Sequence, residues 1–215
     1  MPRHWSYTLV GALLVLAATY ARGQELLDQI AARVETDIIL LSEVRTLSRY
    51  QILVDGKAES DAAILDRLVD QWIVRTEADT ARFPRPADVE IAHGVEHLQA
   101  SFTSPEEYQA RKKQSGLSDK EIERMLARQL YLSNYLDSRF RPAVQVTPKQ
   151  VEDFYQEAVV PRAKARNQAA PSLDASREYI QAALVQRGIN EQSEIWLKES
   201  RGRLHVEKFL KETGK

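Results

Sequence analysis

The chain has 215 residues, of which 43% are hydrophobic and 28% are charged, and these values are close to those of ordinary globular proteins. Its 30 basic and 31 acidic side chains give a formal net charge of −1, which argues against nucleic acid as the main ligand. Cysteine is absent, so the sequence excludes disulfides, thiol chemistry and Cys-based metal sites.

The first 23 residues have the layout of a secretory signal peptide. A weakly basic start precedes an uncharged run from Thr8 to Ala18, and Ala21 and Gly23 supply small residues at −3 and −1 if cleavage precedes Gln24. The alternative is an uncleaved anchor, but a membrane-spanning helix needs about 20 apolar residues. We therefore expect an exported protein, in the periplasm or a comparable compartment, in which residues 24–215 form one domain without stable membrane insertion.

A small β-hairpin is predicted next. Apolar residues alternate over 30–34, a polar turn occupies 35–37, and an apolar run follows over 38–41. Ser42 is expected to cap a helix that continues to about Leu53.

Helical periodicity dominates the middle of the chain. A broad apolar stripe follows Ser60, and prolines at 84 and 86 end it. The next helix carries apolar residues from Ile91 to Phe102. Ser or Thr followed three residues later by Glu or Gln then predicts three helix starts, at Ser104, Ser118 and Thr147. The helix that follows Ser118 is expected to be the longest, with Ser133 on its apolar face, and to end at Pro142.

The C-terminal part is predicted to contain an exposed connection, two helices and a strand. The helix after Thr147 reaches about Val159, and a polar, Pro-containing connection follows over Pro161–Ser172. Two helices separated at Gly188 come next, and the tail Leu204–Leu210 alternates like a strand. An isolated strand is unstable in water, so the tail should pair with the hairpin. The sequence therefore predicts a mainly α fold with a small sheet that joins the two ends of the domain.

One string resembles a catalytic motif. His93, Glu96 and His97 fit the H-x-x-E-H pattern of some zinc hydrolases. On a helical wheel, however, both histidines lie roughly 120° or more from the apolar side of the helix. A solvated polar face is therefore the favoured interpretation, and a metallohydrolase is the alternative. Nucleotide-binding glycine motifs are absent from the sequence. Together with the solvated position of the two histidines, this absence leads us to expect no metal, cofactor or catalytic residue.

The long helix also offers candidate binding residues. Met125, Tyr131, Leu132 and Tyr135 lie beside its core stripe. If these side chains are exposed, they can line a groove for apolar or aromatic side chains of a peptide. The alternative is that they are used entirely for packing between helices.

The order of these elements resembles a known family. The segments concerned read I-I-L-L-S-E-V (38–44), A-I-L-D-R-L-V-D-Q-W-I (63–73), L-S-D-K-E-I-E-R-M-L-A-R-Q-L-Y-L (117–132), V-T-P-K-Q-V-E-D-F-Y (146–155) and I-W-L-K-E-S-R-G-R-L-H-V-E-K-F-L (195–210). In this order they look like the N-terminal chaperone domain of SurA and its relatives, the periplasmic factors that escort outer-membrane proteins. The resemblance covers nearly all of the chain after the predicted signal peptide.

One departure from that family limits what the resemblance implies. SurA-like proteins carry parvulin prolyl-isomerase domains of roughly 90 residues before the last helix, whereas this chain has only Pro161–Ser172 there. The resemblance therefore implies an ATP-independent binding module for unfolded or extended polypeptides, without isomerase activity. An envelope assembly partner that binds one folded protein is the main alternative.

Overall fold

The sheet joins the two ends of the chain segment that the computed structural model describes, residues 28–210. Its strands are β1 (Ile30–Val34), β2 (Asp37–Leu40) and β3 (Val206–Lys208). The order is β2-β1-β3 and both pairings are antiparallel, so the hairpin and the C-terminal strand share β1 as the central strand. The predicted mainly α fold with this small sheet is confirmed. The predicted signal peptide lies outside the described residues.

The helices follow the predicted order closely. They are α1 (Leu41–Asp55), α2 (Asp61–Thr80), α3 (Asp88–Ala100), α4 (Pro105–Ser115), α5 (Asp119–Phe140), α6 (Pro148–Phe154), α7 (Val160–Ala165) and α8 (Leu173–Arg201). A 3-10 turn at Arg141–Ala143 follows α5, and a π-helical segment at Tyr155–Val159 joins α6 to α7. The caps predicted at Ser104, Ser118 and Thr147 are confirmed, because each side-chain oxygen accepts a hydrogen bond from the backbone N–H three residues later.

The start of α1 differs from the prediction. The helix begins at Leu41, and the Glu43 carboxylate accepts a hydrogen bond from the backbone N–H of Leu40 at 3.0 Å. The Ser42 hydroxyl instead donates to the carboxylate of Asp28, so the predicted cap at Ser42 is wrong. The reason is that Glu43 satisfies the free N–H group at this helix end, which leaves the hydroxyl available for a tertiary contact.

The alternation predicted for β1 is also interrupted. The pairing register between β1 and β2 shifts after Ile30, and Ala31 and Ala32 are both buried. Ile30, which the alternation places on the same face as Ala32 and Val34, is 42% exposed, whereas those two residues are buried. A β-bulge inserts one extra residue, so the side chains before it point to the opposite face of the sheet. Alternation in the sequence does not reveal where the bulge lies.

The predicted break at Gly188 is wrong, because α8 continues through this residue. A Cβ atom added at Gly188 would lie 2.6 Å from Cγ1 of Val144. Glycine at this position therefore allows the segment after α5 to pack closely against the middle of α8.

The predicted connection over Pro161–Ser172 is shorter than expected, since α7 continues to Ala165. A proline ring clashes with the carbonyl four residues earlier in a regular α-helix. The π-helical segment lies immediately before Pro161 and widens the helix there, so the chain continues in helical form past the proline.

Two regions are distinguished by what they bury. The head comprises the sheet, α1–α5 and residues 190–201 of α8, and it contains three clusters of buried apolar side chains. The arm comprises α6, the π-helical segment, α7 and residues 173–189 of α8, and its fully buried side chains include Val151, Ile180 and Ile189. The helices of the arm pack against one another, and α2 and α5 of the head contact α8.

Ion pairs hold the C-terminal elements to the head. Arg201 at the end of α8 donates to Asp66 at 3.0 Å and to Asp70 at 2.7 Å, and Lys208 of β3 lies 2.8 Å from the same Asp66 carboxylate. On the sheet, Arg33 pairs with Glu207 across β1 and β3 at 2.8 Å. The last helix and strand therefore contact α2 through a shared network around Asp66 and Arg201, and β1 through the pair of Arg33 and Glu207.

Candidate functional site

A groove in the head lies between α1, α2, α3 and α5. Its cavity volume is about 730 Å³. The helix α1 packs against α2 and α4, whereas α5 packs against α2 and α3. The groove is the space left between these pairs of helices, so its walls are supported from behind by the apolar clusters of the head.

Apolar side chains from five helices line the groove. The buried ones are Leu47, Val74, Leu98, Leu126 and Leu132, and the partly buried or exposed ones are Tyr50, Val54, Met125, Leu136 and Leu197. A groove of this size with an apolar lining matches the general features of a ligand-binding site.

The structure separates the four candidate residues of α5 into two pairs. Met125 and Leu132 line the groove. Tyr131 and Tyr135 are 2% and 5% exposed, and both belong to the apolar cluster that α5 shares with α2 and Phe83. Leu132 is buried as well and belongs to the same cluster as the two tyrosines, so Met125 is the one of the four that combines a position on the groove with partial exposure.

Both tyrosines have well-defined packing partners. The Tyr131 hydroxyl donates to Asp79 at 2.7 Å, and the guanidinium carbon of Arg85 lies 4.0 Å from the Tyr131 ring centroid. The Tyr135 ring packs edge-on against Phe83, with 5.5 Å between the centroids. For Tyr131 and Tyr135, these contacts agree with the alternative considered from the sequence, namely packing between helices.

The contribution of α1 to the groove was missed by the sequence interpretation. Leu47, Tyr50 and Val54 all line it. Their spacing of three and four residues places them along one stripe of the helix, and this spacing was the available signal. Burial, with smaller effects of Asp55 and Tyr108, raises the pKa of Tyr50 to about 12. The phenol therefore stays protonated at neutral pH, and it donates to the Gln129 side chain at 3.3 Å.

Charged residues around the groove are of both signs. Asp55, Arg67, Asp70 and Arg128 are among its lining residues. Arg67 pairs with Glu59 at 2.5 Å and Asp70 with Arg201 at 2.7 Å. Burial raises the pKa of Asp70, although the adjacent Arg201 opposes the shift. The groove thus offers a largely balanced electrostatic environment rather than a strong field of one sign.

The H-x-x-E-H residues do not form a metal site in the described structure. His93, Glu96 and His97 are exposed on α3. Within residues 28–210, no three His, Asp or Glu side chains come together in a way that could hold a metal ion. None of the helices described in that range is long and apolar enough to cross a bilayer.

A second cavity, of about 600 Å³, lies in the arm between α6 and α8. Its lining is more polar and includes Gln150, Asp153, Glu157, Arg187 and Glu191. The guanidinium carbon of Arg187 lies 5.5 Å from the ring centroid of Phe154, which also lines the cavity. The two cavities therefore differ in chemistry, because the lining of the groove in the head is mainly apolar and that of this cavity is mixed.

Comparison with known proteins gives no assignment. No protein-family model matches the chain, and no curated protein matches it at a significant level. We therefore infer the function from the geometry of the groove and from the order of the elements.

Proposed function

We propose that this protein is an ATP-independent chaperone of the cell envelope that holds unfolded exported or outer-membrane proteins in the groove of the head. The observation that carries the proposal is the apolar groove of about 730 Å³. Binding many sequences requires apolar contact without a fixed pattern of polar contacts. Flexible Met125 and a rim of balanced charges fit that requirement.

The order of elements supports the same proposal. An N-terminal hairpin, a helical body and a final helix and strand that return to the hairpin are the arrangement expected of a SurA-like chaperone domain. The predicted signal peptide would place the protein outside the cytoplasm, where ATP is not available to drive client release. Binding should therefore be weak and rapidly reversible.

Prolyl-isomerase activity is not part of the proposed function. Rotation of an X–Pro bond has a barrier of about 18–20 kcal/mol, and lowering it requires a site that encloses the peptide. The segment Pro161–Ser172, where SurA-like proteins carry that domain, consists of most of α7 and a short connection. A prolyl-peptide assay should give the uncatalysed rate, and a faster rate would refute this part of the proposal.

The direct test is light scattering during dilution of an unfolded outer-membrane protein. The wild-type protein should lower scattering at a several-fold molar excess. It should do so with a chelator present and with no nucleotide added. Val54→Glu should weaken this effect at least several-fold, because Val54 is 42% exposed at the edge of the groove and a carboxylate there opposes apolar contact.

The matched control is Val89→Glu, which makes the same change on α3 at a residue that is 60% exposed and does not line the groove. This variant should suppress aggregation as well as the wild type. Equal loss in both variants would show that the groove is not the binding surface. If the wild type leaves scattering unchanged, the general-chaperone proposal fails and a single folded partner becomes the better hypothesis.

A further inference from the structure

A small cavity of about 200 Å³ lies in the arm, between the π-helical segment, α7 and the start of α8. Part of its lining is apolar and includes Phe154, Ala158 and Val159. Tyr179 of α8 also lines it, and this residue is 65% exposed. A tyrosine ring combines an apolar face with a polar tip, so an exposed tyrosine beside a cavity is suited to contact a bound group.

One wall of this cavity is the connection between α7 and α8, which is held at both of its ends. After α7, the backbone N–H of Gln168 donates to the carbonyl of Ala163 at 3.0 Å, a pattern that closes many helix ends. Before α8, the Pro171 carbonyl accepts a hydrogen bond from the Tyr155 hydroxyl at 2.7 Å. The protein's own hydrogen bonds therefore hold this wall in place, and little order has to be gained on binding.

Arg162 and Arg166 are the charged residues that line the cavity. They are four residues apart at the end of α7, which brings both side chains to the same side of the helix. Both residues are exposed, and neither takes part in the ion pairs that residues 28–210 form with one another. The cavity therefore combines an apolar lining with two positive charges that have no acidic partner in this part of the chain.

The size and the charge of the cavity together restrict what can bind. Sites for drug-sized ligands have volumes of about 300–1,000 Å³, so a smaller cavity holds one side chain rather than a whole acyl chain. Two guanidinium groups favour an anion, and carboxylates are among their best partners. The last residue of a polypeptide carries its carboxylate and its side chain on the same carbon atom. A C-terminal residue with an aromatic or large apolar side chain therefore matches both features of the cavity.

We propose that the arm binds the C-terminal residue of a polypeptide when that residue is aromatic or large and apolar. Its carboxylate accepts hydrogen bonds from Arg162 and Arg166, and its side chain packs against Phe154 and Tyr179. This mode of binding goes beyond the proposed function of the groove in the head, because it recognises a chain end rather than an unfolded segment. It therefore adds a second site with its own specificity.

The test uses a labelled peptide of Gly and Ser residues that ends in Phe with a free carboxylate, so that its last residue carries its single apolar side chain. The matched peptide has a C-terminal amide instead. At low ionic strength the free acid should bind to the wild type about fivefold more tightly than the amide, since exposed ion pairs contribute modestly. This ratio should fall as salt is added, because exposed charges are screened. A third peptide, with Phe in the middle and Ser at the end, should bind more weakly than the free acid that ends in Phe.

Variants at exposed residues separate the two parts of the interaction. Arg162→Gln and Arg166→Gln should each weaken binding of the free acid about two- to threefold, and the double variant should bind acid and amide equally. Lys164→Gln is the matched control, because Lys164 is an exposed basic residue of the same helix that does not line the cavity. This variant should bind the free acid like the wild type. Tyr179→Ala should weaken binding of both peptides and leave the ratio of acid to amide unchanged.

The outcomes are separable from those of the proposed function. Val54→Glu changes the groove in the head and should leave binding of the free acid unchanged, so the two proposals fail in different experiments. Equal binding of acid and amide by the wild type would overturn this inference. An equal loss in Lys164→Gln and Arg166→Gln would also overturn it, because it would show general attraction of anions. Tighter binding of inorganic phosphate or of decanoate than of the peptide would show that the cavity does not select a chain end.

Discussion

The head and the arm are both helical, but they use their apolar residues differently. In the head, three apolar clusters support an apolar groove of about 730 Å³. In the arm, α6 and the first part of α8 bury Val151, Ile180 and Ile189, and the cavity between them has a mixed polar lining. A groove can stay open and apolar only where the surrounding structure keeps its walls apart. The comparison therefore favours the head for the proposed binding function, and we expect the arm to be the less stable of the two regions.

The largest expected effect comes from matched core substitutions in the two regions. Ile64 in the head and Ile180 in the arm are both 0% exposed. Ile64→Ala should lower the free energy of unfolding of the whole domain by about 4 kcal/mol, and Ile180→Ala should lower it by about 2 kcal/mol, since large-to-small core changes cost roughly 2–5 kcal/mol. Chemical denaturation measures both changes.

Hydrogen exchange tests the localisation of these effects. Ile180→Ala should speed exchange mainly in the arm and leave client binding intact. Faster exchange throughout the head in this variant would show that the two regions unfold as one unit, and the comparison would then not hold.

Loss of the C-terminal strand should have the next largest effect on the head. Deletion of residues 204–215 removes β3, the pairing with β1 and the contact between Lys208 and Asp66. It also removes Leu204, Val206 and Leu210 from the apolar cluster around the sheet. We expect a loss of about 3 kcal/mol, comparable to that from losing core contacts. Deletion of residues 211–215 alone leaves these contacts in place and is the control in thermal unfolding, where equal melting of both forms would contradict closure of the sheet.

Replacing two glycines within helices should change the stability of the protein by smaller amounts and in opposite directions. Gly94→Ala in α3 should stabilise the protein by about 0.5–1 kcal/mol, because alanine favours the helix and the new Cβ would lie 3.5 Å from Leu130. Gly188→Ala in α8 should destabilise it by about 1–2 kcal/mol, because overpacking against Val144 at 2.6 Å outweighs the gain in helix propensity. Thermal unfolding of both variants decides the signs, and stabilisation by Gly188→Ala would refute the close packing of α8.

The smallest expected effect is the difference in pH dependence between two serine caps. Ser118 caps α5 in the head, and Ser172 caps α8 in the arm, so replacement of either by Ala should cost about 1 kcal/mol at neutral pH. The pKa of Glu121 is lowered by hydrogen bonds from the backbone N–H and hydroxyl of Ser118. Its stabilising contribution is thus present above its unfolded pKa and is lost as pH falls through the folded value.

Denaturation at pH 7 and pH 3 tests this difference between the caps. The effect of Ser118→Ala should be smaller at pH 3 than at pH 7, because Glu121 progressively loses its charge as the pH falls. The third residue after Ser172 is Ala175, so the effect of Ser172→Ala should vary less with pH. A similar pH dependence for both variants would show that Glu121 does not contribute to the cap.

Several features of the fold could be predicted because they depend on neighbouring residues. The caps at Ser104, Ser118 and Thr147 combine a hydroxyl with backbone groups three residues away, and such short-range patterns are visible in the sequence. The pairing of the chain ends followed from one rule, that a lone strand must find a partner. The sequence left open whether that partner was β1 or β2, and the structure identifies β1.

The candidate groove was only partly predictable. Periodicity identified apolar side chains on α5, but it did not distinguish Met125, which is partly exposed in the groove, from Tyr131, Leu132 and Tyr135, which belong to a buried cluster. All four side chains belong to the apolar side of α5. The positions of the neighbouring helices determine which of them are buried. The stripe on α1 was not recognised because it becomes a groove wall only opposite α5.

The amino-acid sequence by itself determined the order of the elements, most helix ends and the mainly α class, because these depend on local propensity and apolar periodicity. Only the tertiary structure decided the continuity of α8 through Gly188 and the exposure of Ile30 at the bulge. Each of these depends on which atoms from distant parts of the chain come within a few ångströms. That information is created when the helices pack, and no local pattern contains it.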